Sequence, residues 1–215
     1  MAFHLPKEPI RTKREFLLYL LATAAGVLLA LSLERAGAWW HTRTLVNEAR
    51  HNLSLEIAEN RKRIENWRST VPQISKNLTG VIEFAGESLR TGKSGKTSLT
   101  VGFGLIVLSA SAWKAAETTG ATAHMGYREA RGFAQLYSLQ EELTRTQANV
   151  MDDVAQATGF FSANRNPTRD QRPQDLDRLN DRVRTMAMRI SFMDNLAKGL
   201  DEACAKIQRE RSDGL

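Results

Sequence analysis

A chain of 215 residues with a single cysteine, 7% aromatic residues and a formal net charge of +6 already excludes several classes of protein. One cysteine forbids an intrachain disulfide framework, so stability must come from packing, and sparse aromatics favour helices over a sheet sandwich. The positive surplus is spread among interleaved acids, apart from Arg61-Lys62-Arg63 and the stretch from Arg90 to Lys96, which is not the gathered cation surface of a nucleic-acid binder.

Residues 1–15 form a basic leader in which Pro6 and Pro9 discourage helix and Lys7, Arg11, Lys13 and Arg14 supply charge. From Phe16 to Leu33 the chain holds no charge, and as a helix this run spans roughly 27 Å, close to the hydrocarbon thickness of a bilayer. Basic residues before it and Trp39-Trp40 after it predict a transmembrane anchor with a cytoplasmic N-terminus and an aromatic belt at the far interface. Ala36-Gly37-Ala38 resembles a signal-peptide cleavage site. The apolar run is nevertheless longer than a signal core, and Glu34 and Arg35 sit where cleavage would occur, so retention is the better reading. Ala22, Gly26 and Ala30 recur every fourth residue and form a candidate helix-pairing face, although small residues are common in membrane helices generally.

Beyond Trp39 the helix is expected to continue into water. Ile57, Ile64, Trp67, Val71, Ile74, Leu78, Val81 and Ala85 recur in steps of three and four, with Asn60 as a polar member. Pro72, with Ser69 and Thr70 as caps, predicts a kink or a fresh helix start. Thr91-Gly92-Lys93-Ser94-Gly95-Lys96 closes the element in a polar loop. That loop ends like a phosphate-binding motif, but Arg90 stands where the first glycine is required and no apolar strand precedes it, so a nucleotide site is rejected.

Residues 97–113 are uncharged but strongly apolar only from Val101 to Leu108, too short a core to cross lipid readily. A strand or extended linker returning to the bundle is expected there; a second membrane pass is the alternative. A short helix opening at Ser111 or Ala112 should stop at Gly120. Another should run from Tyr127 to Phe160 with Phe133, Leu136, Leu143, Val150, Val154 and Ala157 inward and Gln140 and Gln147 as polar inserts in the same seam. After a break at Asn164 to Pro173, an unbroken three-four pattern from Leu176 to Ile207 predicts a bundle or coiled-coil helix. The expected fold is therefore all-α. An N-terminal transmembrane helix continues into a long helix packed in an antiparallel bundle, with a leader (1–15), an anchor and interface (16–40) and an extracytoplasmic bundle (41–215).

No catalytic constellation is legible. His4, His41, His51 and His124 show no metal-ligand spacing, Cys204 lies in the apolar stripe, and the neighbours Glu141-Glu142 and Asp152-Asp153 diverge on a helix and are expected to face solvent. No catalytic residue, metal or cofactor is assigned, and the partners expected are membrane lipid and either a second copy or an envelope protein, not nucleic acid. An enzyme built from scattered residues, around His124, Tyr127 and nearby acids, is the competing class. Trp113, Ala116 and Gly120 share one helical face and form a candidate interface, with a tryptophan packed on small residues as the purely structural alternative.

With these residues in view, the layout resembles a group of uncharacterised bacterial single-pass membrane proteins. The resemblance rests on Gly26-Val27-Leu28-Leu29-Ala30-Leu31, Trp40, the segment from Glu48 to Asn60, Trp113-Lys114-Ala115-Ala116, Thr119-Gly120 and Tyr137. It implies an inner-membrane protein facing the periplasm, and it implies no reaction, substrate or catalytic residue.

Overall fold

Apolar residues that return every three to four positions can all be buried only if the chain is helical and several such stripes face one another. The computed structural model, which describes residues 13–92, 104–163 and 173–212, has this arrangement. Among the described residues four α-helices follow in order: α1 (Lys13–Thr91), α2 (Ser111–Thr118), α3 (Tyr127–Ala163) and α4 (Pro173–Ser212), with one 3-10 turn at Ala121–His124. No strand occurs among the described residues, and the all-α bundle expected from the sequence is what is found.

The chain divides into two units, Met1–Glu48 and Ala49–Leu215. In the first, every residue from Phe16 to Leu33 is exposed on a regular helix. Its few polar side chains satisfy themselves locally: the Thr23 and Ser32 hydroxyls donate to the carbonyls of Tyr19 and Leu28, at 2.9 and 2.6 Å. Arg43 lies 5.2 Å over the Trp39 ring, a cation–π distance.

In the second unit, cross-helix pairs fix the directions. Arg61 reaches Asp201 and Arg68 reaches Asp194, so α1 and α4 run antiparallel. Arg50 reaches Glu129 and Glu56 reaches Tyr137, so α1 and α3 run parallel. Leu53, Ile57, Ile64, Ile74 and Leu78 from α1, Phe133, Leu136, Leu143 and Val150 from α3, and Val183, Met186, Ile190, Met193 and Leu200 from α4 are essentially fully buried. Each such side chain stabilises the fold by about 1.5–3 kcal/mol relative to exposure.

Two local expectations are corrected, and at Pro72 one of the two alternatives is excluded. Pro72 does not restart the helix: α1 is assigned continuously through it, and Ser69 and Thr70, rather than capping a new start, donate back to the carbonyls of Asn66 and Trp67 at 2.7 Å. Pro72 is exposed while Trp67, Ile74 and Leu78 on either side are buried, so tertiary packing outweighs the missing backbone donor. Val71 and Val154 are only half-buried. Next to Val154, Asp153 is 4% exposed, receiving Arg189 at 2.7 Å and Arg182 at 3.7 Å from α4. The steps Val150, Asp153, Ala157 keep the three-four period, which places the acid inward; Asp152 remains solvated as expected.

Helix ends follow ordinary chemistry. Gly92 (φ 66°) and Gly120 (φ 75°) take the left-handed conformation that terminates α1 and the α2 turn, with Gly92 N–H donating to Ser88 O at 3.0 Å. Pro173 opens α4, where its absent N–H costs nothing.

Candidate functional site

Between α1 and α3 the polar residues of two otherwise apolar seams face each other, and the segment 104–110, neither helix nor strand, lies against them. Ser109 N–H donates to Asn60 Oδ1 at 2.9 Å while Asn60 Nδ2 donates to Ser109 O at 2.7 Å. Ile106 N–H donates to Gln147 Oε1 at 2.7 Å, and Gln147 Nε2 returns a bond to Ile106 O at 3.3 Å. Each side-chain amide thus does what a neighbouring strand would do, offering one donor and one acceptor to a single residue. Gln140 Nε2 adds a bond to Ser109 O at 2.9 Å, and Arg63 Nη1 one to Val107 O at 2.7 Å. Residues 104–110 are held to the bundle by these bonds; residues 97–103 of the expected strand or linker, and of the second-pass alternative, lie outside the described residues.

At the end of this strap sits Glu56, 9% exposed. Its Oε2 accepts from Ser109 Oγ (2.6 Å), Ser111 Oγ (2.9 Å) and Ala112 N–H (3.0 Å), and its Oε1 from Tyr137 OH (2.7 Å). Helix α2 has no side-chain cap from its own N-cap residue, Ala110, so Glu56 caps it from across the bundle, placing a negative charge at the positive end of the helix. Burial pushes the Glu56 carboxyl upward, but the bonds from Ser109, Ala112, Tyr137 and Ser111 together outweigh it and hold the group below its ordinary value. Burial, and then the Glu56 bond, push the Tyr137 phenol well above its usual range.

Beside this centre opens a cleft of about 530 Å3 edged by Leu108, Trp113, Lys114, Glu117, Tyr137 and Glu141. Trp113 is half-buried and stacks on Tyr137 with centroids 5.3 Å apart and planes at 14°, and meets Phe133 at 6.3 Å. Of the candidate interface residues, only Trp113 lines the cleft. Ala116 is 2% exposed and faces the core, and Gly120 is the turn residue described above. Ala22, Gly26 and Ala30 lie on the exposed part of α1, where a Cβ added to Gly26 meets nothing within 4 Å.

These bonds clamp residues 109–112 onto α1 and α3. Four donors occupy the Glu56 carboxylate, and a carboxylate held below its ordinary value is a poorer base than a free one. His124 is exposed and does not line the cleft that Tyr127 borders on the α3–α4 side, so the grouping considered for an enzyme is not assembled there. Among the described residues no group of three or more His, Cys, Asp or Glu is placed to hold a metal. Cys204 is buried, and burial followed by the nearby Asp201 charge pushes its thiol up to about 11.

The polar cluster itself was only partly legible. Asn60, Gln140 and Gln147 stand out in sequence as interruptions of apolar seams, which is a usable signal for a buried network. Glu56 and Tyr137 carry no such mark, since their partners lie 53 to 81 residues away. Comparison of the chain with family models, with curated proteins and with solved structures finds no match in any of the three.

Proposed function

We propose that this protein is a single-pass, membrane-tethered helical bundle that works by binding another protein, with its N-terminus in the cytoplasm and its bundle in the bacterial periplasm. The observation that carries the reading is that the most apolar stretch of the chain has none of its residues buried, on a helix long enough to cross a bilayer. Elsewhere in the chain aliphatic residues are buried in stripes, so an apolar segment exposed on every side calls for a different solvent. The basic leader and the exposed Trp39 and Trp40 support that orientation.

Binding rather than catalysis is supported by the tied-up state of Glu56 and by a cleft whose aromatic floor, Trp113 on Tyr137, has the mixed apolar and charged rim common at protein interfaces. Association of two copies through Ala22, Gly26 and Ala30 belongs to the same proposal. The partner is an envelope protein or a second copy, the setting that the resemblance to bacterial single-pass proteins implies.

Reporter fusions at Gly92 and at the C-terminus, combined with alkaline extraction of membranes, test this reading. A retained anchor keeps the chain in the pellet with both reporters on the outer side. Recovery of a soluble chain beginning near Trp39, or reporters on opposite sides, sinks it. For pairing, Gly26→Leu is the sharper probe: the single helix accepts the side chain, so loss of crosslinked dimer reports only on a second helix.

A further inference from the structure

The pole of the bundle where α1 enters carries exposed arginines that belong neither to the core nor to the proposed partner cleft. Arg50 donates from Nε and Nη2 to both oxygens of Glu129 at 2.7 Å, which sets the first turns of α3 beside that entry point. Flanking this pair on α3 are Arg128 and Arg131, both exposed, and Tyr127, which is 79% exposed. They border a cleft of about 1210 Å3 between α3 and the end of α4, where Lys206 adds a further cation and Glu142, ion-paired with Arg145, is the acid in the lining. Glu129, the acid in the first turn of α3, is already committed to Arg50.

We propose that this pole docks onto the anionic phospholipid headgroups of the membrane that holds the anchor; the inference rests on the tethered reading above. Charge selects the occupant: the exposed Arg128 and Arg131 suit phosphates, and the exposed Tyr127 beside them suits the headgroup layer. Chain length permits it. Arg50 follows Trp40 by only ten residues, so along any path the chain keeps it within about 35 Å of Trp40. Each basic residue close to an anionic leaflet strengthens docking by about fivefold, and the effect decays over a Debye length of about 8–10 Å, so it is weakened by salt.

The test uses the full chain reconstituted into vesicles of phosphatidylcholine, with or without phosphatidylglycerol. A polarity-sensitive fluorophore is placed on Tyr127→Cys, Cys204 being buried. Flotation of the chain with both vesicle types reports the anchor independently of the pole. The expected result is a blue-shifted emission with at least a doubled intensity in the anionic vesicles alone, reversed by high salt. Adding Arg128→Gln and Arg131→Gln should reduce the docked population by roughly twentyfold relative to the undocked one. Flotation with both vesicles but identical emission in both overturns headgroup docking and leaves the anchor standing. An emission shift that survives both substitutions and salt overturns the assignment to these arginines. Failure to float with either vesicle overturns the tether and the docking together.

Discussion

Two stretches of one helix, Phe16 to Leu33 and Leu53 to Ala85, show how little apolar content alone says about burial. The first is almost wholly apolar and has no buried residue; the second is mostly polar and places Leu53, Ile57, Ile64, Trp67, Ile74, Leu78, Val81 and Ala85 in the core. Period makes the difference. A stripe returning every three to four residues matches a neighbouring helix on one side and water on the other, whereas apolarity on all faces matches neither. The second stretch also carries Glu56 and Asn60 in its stripe, and their burial is tolerated because every bond they need is supplied.

One substitution type, made in each stretch or its partner, should break the comparison open. Met193→Asp puts an unpaired charge at a fully buried position and should cost about 4–5 kcal/mol, enough to abolish cooperative unfolding by circular dichroism in a marginal bundle. Leu28→Asp should leave the bundle's melting curve unchanged and instead release the chain from membranes on flotation. Equal damage to melting by both would mean the two stretches do the same job.

Next in size is the clamp. Glu56→Ala strands Tyr137 OH and Ala112 N–H, and should lower stability by about 2–3 kcal/mol in denaturant titration. Glu56→Gln sharpens this through pH. Because the folded carboxyl is held below its ordinary 4.5, its contribution is present above that value and is lost as pH falls through the lower folded value. The stability gap between wild type and Glu56→Gln should therefore close on acidification below about pH 4.5; a gap independent of pH would show that charge is not what the cluster uses.

Asn60→Leu, which removes both bonds to Ser109, should cost about 2 kcal/mol and expose the strap to limited proteolysis before the helices melt. Smallest of all should be Arg68→Gln. Its pair with Asp194 is about one-third exposed on each side, so its loss is worth about 1 kcal/mol or less, read as a small shift in unfolding midpoint. Cys204 should resist a bulky thiol reagent until the bundle unfolds, since it is 1% exposed.

Much of the fold was legible because periodicity is local. The stripe expected from Leu176 to Ile207 is buried at every step as far as Cys204 and half-buried at Ile207, and the helix starting at Tyr127 and the stop at Gly120 follow from side-chain pattern and glycine chemistry. What could not be read depends on residues far apart in sequence. Asp153 is drawn inward by Arg182 and Arg189 from another helix, Pro72 is overridden by packing on both sides, and Glu56 becomes a cap for α2 only once residues 109–112 arrive beside it. Of the candidate interface, Trp113 is placed where a partner can reach it, whereas Ala116 shows why a shared helical face does not imply shared exposure.

The amide clamp on the strap also bears on how the molecule finds its register. Long aliphatic stripes repeat, so sliding one helix past another by a turn exchanges one leucine for the next at modest cost. Asn60 and Gln147 do not repeat in this way: a single-turn slip moves Asn60 from Ser109 or Gln147 from Ile106, and buried amides are left without partners. The segment 104–110 thus acts as a vernier, seating only when α1 and α3 stand at one relative height.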